Sequence, residues 1–87
     1  MGQSDEEMLA RYAGAEEEEA FTELVVRHLD LVYSAALRQV RSPQLAEEIA
    51  QSVFTDLARA ARRFKPGQLL VPWLYQVTRR TAVWFRD

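Results

Sequence analysis

Cysteine is absent from this chain of 87 residues, so neither a disulfide nor a cysteine-based zinc site can form. His28 is the one histidine, which excludes a histidine-rich metal site. No apolar run approaches the ~20 residues that a membrane-spanning helix needs. The acidic start lacks the basic and apolar segments of an export signal. These absences predict a soluble, cytoplasmic domain with no cofactor, no metal and no membrane contact.

Glycine and proline number three each, and they divide the chain into four blocks. Ser4 and Glu7 have the spacing of a capping box, and Gly14 is a natural stop for a short first helix. Apolar residues then recur at helical spacing and predict a second helix from about Glu16 to Val40.

The other two helices are predicted on either side of a loop. Ser42 and Pro43 suit the cap and the first residue of a third helix, whose apolar stripe reaches Phe64. Residues 65–71 contain Pro-Gly, which cannot continue a helix, and Pro72 opens the fourth helix. The prediction is an all-α fold, a compact bundle of one short and three longer helices, forming a single domain over residues 1–87.

The net charge of −2 conceals a strong asymmetry along the chain. Residues 1–23 carry eight acids and one base, a net of −7, and residues 24–58 carry four acids and three bases, a net of −1. Residues 59–87 carry one acid and seven bases, a net of +6. This pattern indicates that the C-terminal third meets a polyanion. The alternative is that the acidic and basic ends neutralise each other within one fold.

Catalysis has little chemical basis in this sequence. His28 lies on the apolar stripe of the second helix, which favours a packed core residue over a catalyst. Glu47 and Glu48 are adjacent, and adjacent residues of a helix point in different directions. No glycine-rich phosphate loop is present. We therefore predict that the chain is not an enzyme.

The basic residues at the end of the third helix and on the fourth helix form a pattern typical of nucleic-acid binding. Basic residues gather from the end of the third helix onward: Arg59, Arg62, Arg63, Lys65, Arg79, Arg80 and Arg86. The spacing of Tyr75, Arg79, Ala82 and Arg86 predicts one face of the fourth helix, flanked by Gln76 and Arg80. Arginine can bind phosphates there while tyrosine stacks on an unpaired base. An ordinary solvated helix face is the alternative.

On the third helix, Phe54 continues the apolar stripe, and we predict that it lies in the core.

Several segments together resemble one protein family. The run from Ala46 to Phe54 resembles the polymerase-binding helix of bacterial sigma factors of the extracytoplasmic-function type. The other similar segments are Asp5–Tyr12, Glu19–Leu24, Tyr33–Arg38, Phe64–Gly67 and Trp73–Arg80. They follow the family's order over nearly the whole chain.

The resemblance implies region two of a sigma factor, a module of transcription initiation. Such a domain docks on the clamp helices of the largest polymerase subunit and captures the melted, single-stranded minus-ten promoter element, with one base flipped into the loop. The implied polymerase-binding residues are Glu47, Glu48, Gln51 and Thr55, and helical spacing adds Gln44 to the same predicted face. The implied DNA-binding residues are Arg62, Arg63, Lys65, Gln68, Tyr75, Gln76, Arg79 and Arg80.

Two positions depart from the family pattern: Arg80 stands where members often carry Asn, and Trp84 where they often carry Asp. The family's second domain, which reads the minus-thirty-five element, is not in this sequence, so we expect an excised domain or a remnant that cannot initiate transcription alone. An anti-sigma factor is a further expected partner. The alternative function is a helical protein-interaction domain without DNA binding.

Overall fold

The computed structural model describes residues 2–86, and four α-helices contain most of them. These helices are α1 (Asp5–Ala15), α2 (Glu18–Val40), α3 (Pro43–Ala60) and α4 (Leu70–Phe85), with a short 3₁₀ helix at Ala61–Arg63. The predicted all-α bundle of one short and three longer helices is confirmed. Met1 and Asp87, the outer bounds of the predicted domain, lie outside the described residues. No described helix has the length and apolar character to cross a membrane.

The capping box of α1 is present, but the helix ends later than predicted. Ser4 Oγ accepts a hydrogen bond from the Glu7 N–H at 3.1 Å, and Glu7 Oε1 accepts one from the Ser4 N–H at 2.8 Å. The helix then passes through Gly14, and Glu16 caps its end with a left-handed φ of 54°. The Glu16 N–H donates to the Tyr12 carbonyl oxygen at 2.9 Å, which satisfies the last turn without glycine. Glu16 therefore belongs to the joint before α2, not to α2 itself.

The start of α3 agrees with the prediction, whereas the loop after it is shorter. Ser42 Oγ accepts a hydrogen bond from the Leu45 N–H at 3.3 Å, and Pro43 is the first helical residue. The loop covers residues 64–69, because Leu70 is buried and already belongs to α4. Pro72 lies within the first turn of α4, where its missing N–H costs no intrahelical hydrogen bond.

The core lies around α2, which packs against α1, α3 and α4. Leu24 and Val32 of α2 are fully buried, together with Ile49 of α3 and Leu74 of α4. Phe54 is also buried, at 7% exposure, as predicted. The bundle measures 39 × 23 × 19 Å along its principal axes.

His28 is a packed core residue, as its position on the apolar stripe predicts. It is 8% exposed, and its Nε2 lies 2.8 Å from Asp5 Oδ2. The neighbouring Arg27 donates from Nη1 to Asp5 Oδ1 at 3.0 Å and to the Gln3 carbonyl oxygen at 2.8 Å. These polar contacts hold the start of α1 on the middle of α2.

Candidate nucleic-acid and protein interfaces

The five predicted polymerase-binding residues form one exposed face of α3. All of them are exposed: Gln44, Glu47, Glu48, Gln51 and Thr55. The opposite face carries buried residues such as Ile49 and Val53, which fix the orientation of the helix. Thr55 Oγ1 donates to the Gln51 carbonyl oxygen at 2.9 Å. The structure therefore brings these residues together on a polar, partly acidic surface, which we call the α3 face.

An apolar groove runs beside the α3 face, and the predicted site did not include it. Its volume is about 540 Å³, and its apolar lining comes from α2 and α3: Phe21, Val25, Leu29, Tyr33, Ala50 and Phe54. Glu47, Gln51 and Thr55 also line it, so the α3 face and the groove are continuous. Leu29 is 44% exposed. The sequence contains a signal for this groove. Leu29 and Tyr33 widen the apolar stripe of α2 beyond what a helix buried on one side requires.

The predicted DNA-binding residues divide among three places, not one. Arg63, Gln68 and Arg80 line a hollow of about 330 Å³ between the end of α3, the loop and α4. Arg59 lines the same hollow, although the sequence assigned it no role in the DNA site. Asp56 is the one acidic residue among the residues that line it. Three guanidinium groups therefore surround this space, which we call the basic hollow.

Arg62 and Lys65 lie on the other side of the loop, facing α1. They line a cavity of about 290 Å³ together with Glu6 of α1. Arg62 Nη2 pairs with Glu16 Oε2 at 2.9 Å, and the two side chains are 69% and 76% exposed. A pair as exposed as this contributes little to stability and breaks readily. The structure thus separates Arg62 from Arg63, its neighbour in the chain.

The loop is held in shape by its own backbone and by α1. Gly67 has a φ of 84°, which a residue with a side chain rarely adopts. The Gly67 N–H donates to Glu6 Oε2 at 3.0 Å. Gln68 Oε1 accepts the Lys65 N–H at 3.1 Å, so the Gln68 side chain folds back on the loop. At the base of the loop, the ring centroids of Phe64 and Trp73 lie 5.4 Å apart.

The outer face of α4 carries the remaining predicted DNA contacts. Tyr75 is 40% exposed, and Gln76 and Arg79 are exposed as well. Ala82 is completely buried, so its predicted place on this face is wrong. Ala82 lies seven residues after Tyr75, and seven residues turn the helix about 20° less than two full turns. Because Tyr75 lies at the edge of the exposed face, this offset places Ala82 on the buried side.

Among residues 2–86, no group of three His, Cys, Asp or Glu side chains is placed to hold a metal ion. Hydrogen bonding to Glu17 raises the pKa of the Arg11 guanidinium. Arg11 Nε lies 3.0 Å from Glu17 Oε1, at the joint between α1 and α2, so this shift reflects a structural pairing.

Comparison with known proteins identifies the family. The family model described as Sigma-70 region 2 matches residues 24–85. RNA polymerase sigma factor CarQ from Myxococcus xanthus is 34% identical over 65 residues, which are 75% of this chain and 37% of CarQ. The NMR structure of an engineered region 2 of sigmaE in complex with GTAAAA is similar at a TM-score of 0.87 and 28% identity, covering 98% of this chain and 90% of that one.

The fold and these matches define a helical region-two module of sigma factors. The chain belongs to the Sigma-70 region 2 family. The resemblance to sigma factors of the extracytoplasmic-function type is confirmed. The chain spans 37% of the length of CarQ.

Proposed function

We propose that this chain acts in transcription initiation by binding RNA polymerase and capturing the unpaired minus-ten promoter element. The observation that carries this proposal is the similarity, over 98% of the chain, to a sigmaE region 2 solved with GTAAAA. The exposed basic residues of the 3₁₀ helix, the loop and α4 support it independently, because they supply the positive charge that a nucleic-acid strand needs. The proposed domain is the single unit over residues 1–87, located in the bacterial cytoplasm and without enzymatic activity.

The proposed DNA contact combines phosphate binding with base capture. Arg63 and Arg80, with the added Arg59, surround the basic hollow and can bind neighbouring phosphates. Tyr75 presents a ring at the opposite edge of α4, where stacking contributes about 1–3 kcal/mol per base. The loop offers backbone groups to a flipped base once the Gly67 N–H leaves Glu6.

The proposed polymerase contact is the α3 face, with the clamp helices of the largest subunit as its partner. Its acidic residues suit a partner with positive charge, and the adjoining groove adds apolar area. An anti-sigma factor that covers the same surface would block polymerase binding. This regulator is proposed as a competitor for the α3 face.

A second candidate function is protein binding without DNA contact. The apolar groove favours it, because the groove offers about 540 Å³ beside a polar face and includes no residue of the loop or α4. On this alternative the arginines of α4 are ordinary solvated residues.

The deciding experiment measures fluorescence anisotropy of labelled single-stranded GTAAAA, with its duplex as the matched probe. Each probe is titrated with the chain alone and with the chain bound to polymerase core. The proposal predicts preference for the single strand. Binding to polymerase core with no DNA binding in either setting would leave the protein-interaction alternative.

A further inference from the structure

We propose that Trp84 is a nucleic-acid contact, which stacks on an unpaired base of a strand held in the basic hollow. The inference rests on the proposed function and extends its DNA-binding surface to the last turn of α4. Trp84 is the most exposed large apolar side chain in the described part of the chain, at 84%. A single exposed apolar residue is ordinary on a protein surface. The position of this one on α4 is what carries the inference.

Trp84 continues the line of α4 residues that border the basic hollow. Trp73, Val77 and Arg80 of that helix line the hollow. Trp84 follows them at a spacing of i, i+4, i+7 and i+11, which keeps all four on one side of the helix. The indole therefore lies one helical turn beyond Arg80, at the same side of α4 as the hollow.

The distance between Arg80 and Trp84 suits neighbouring groups of one strand. Four residues of helix rise about 6 Å. Successive nucleotides of a stacked strand rise about 3.4 Å along the strand axis, so the helix rise corresponds to about two nucleotide steps. A phosphate bound at Arg80 would thus bring a base two steps away to the exposed indole ring.

The charge around Trp84 favours a polyanion over a second copy of the chain. Helix α4 contains Arg79 and Arg80 and no acidic residue, and Arg86 follows it directly. A symmetric dimer through this face would place the same arginines against each other. A nucleic-acid strand would instead bring a flat base, which can stack on the indole, and a phosphate, which can pair with a guanidinium.

The test compares Trp84→Leu with two control variants, using labelled GTAAAA lengthened by thymidines at both ends as the probe. Trp84→Phe keeps a ring, and Val83→Ala trims an exposed neighbour that has none. We expect Trp84→Leu to weaken binding about 5- to 150-fold, the equivalent of one lost base stack. Trp84→Phe should retain most of the affinity, and Val83→Ala should bind as the wild type does.

A second readout follows the indole itself. Trp73 is the only other tryptophan, so Trp73→Phe leaves Trp84 as the sole fluorophore of this type. Stacking predicts quenching of that fluorescence by the lengthened strand at the same midpoint as the anisotropy change.

Three outcomes would overturn the proposal, and they differ in what they leave standing. If Trp84→Leu binds as tightly as Val83→Ala while Arg80→Gln binds weakly, the DNA surface ends before Trp84 and the proposed function stands. If the wild type binds no strand, alone or with polymerase core, both proposals fail. If Trp84→Leu changes only the sedimentation of the free chain, a second copy covers the indole and the DNA contact is wrong.

Discussion

The Glu6 carboxylate of α1 accepts a hydrogen bond from the Gly67 N–H, with 3.0 Å between Glu6 Oε2 and the nitrogen. An acidic side chain of the first helix thus occupies a backbone donor of the loop. Glu16 Oε2 likewise pairs with Arg62 Nη2 of the 3₁₀ helix at 2.9 Å. The acidic N-terminal segment and the basic C-terminal segment therefore meet at the loop, where part of the basic segment is already paired within the fold.

Glu6→Gln should strengthen single-stranded DNA binding, because it removes a negative charge that competes for the loop. The expected gain is about 0.5–1 kcal/mol, or about two- to fivefold in affinity. Anisotropy with labelled GTAAAA at low salt measures it. The control Asp30→Asn removes an equal charge from the exposed surface of α2. Equal gains in both variants would show that net charge alone is responsible.

Asp5→Ala should destabilise the fold, because it leaves the buried His28 ring without its Asp5 partner. Losing one partner of a buried polar pair costs about 1–3 kcal/mol. Urea unfolding followed by circular dichroism measures the change, and Asp30→Ala serves as the exposed control. In a His28→Leu background the Asp5→Ala cost should shrink. An unchanged midpoint for Asp5→Ala would mean that α1 is held by apolar contacts alone.

Thr78→Val should stabilise the fold. Thr78 is completely buried, and its Oγ1 has no hydrogen-bond partner among the described residues. Valine keeps the branched shape while removing the hydroxyl, so the gain should be about 1 kcal/mol. Thermal unfolding of the two proteins checks this. A lower melting temperature for Thr78→Val would show that the hydroxyl has a partner within the folded chain.

The α3 face can be tested by combining Gln51→Ala with Glu48→Arg. Both residues are exposed, so unfolding should be nearly unchanged. Binding to the isolated clamp helices should weaken about tenfold or more, equal to ~1.4 kcal/mol. The matched control combines Asp30→Arg with Ser34→Ala on the exposed surface of α2. Wild-type affinity in a folded α3-face variant would exclude this surface.

The helices and the N-terminal caps of α1 and α3 could be predicted because their signals are local. Ser4 with Glu7, and Ser42 with Pro43, act within a few residues of the chain. The buried stripe of α3, including Phe54, follows from periodicity alone. All five predicted polymerase-binding residues are exposed on the α3 face.

The arrangement of the basic residues could not be predicted, because it depends on how distant segments pack. Arg62 and Arg63 are adjacent in the chain, yet one faces α1 and the other faces α4. Helical spacing gives the directions of side chains relative to one another within one helix, but it does not tell which side of the helix packs against the core. The burial of Ala82 and the role of Glu6 at the loop both follow from that packing.

The most direct test of the central claim is the salt dependence of binding to single-stranded GTAAAA. Each phosphate contact on a single strand contributes roughly −0.7 to the slope of log affinity against log salt. Arg80→Gln should lower affinity and make the slope shallower by about one contact, whereas Arg38→Gln, an exposed arginine of α2, should change neither. A wild-type chain that binds no single strand, both free and in complex with polymerase core, would contradict the proposed capture of the minus-ten element.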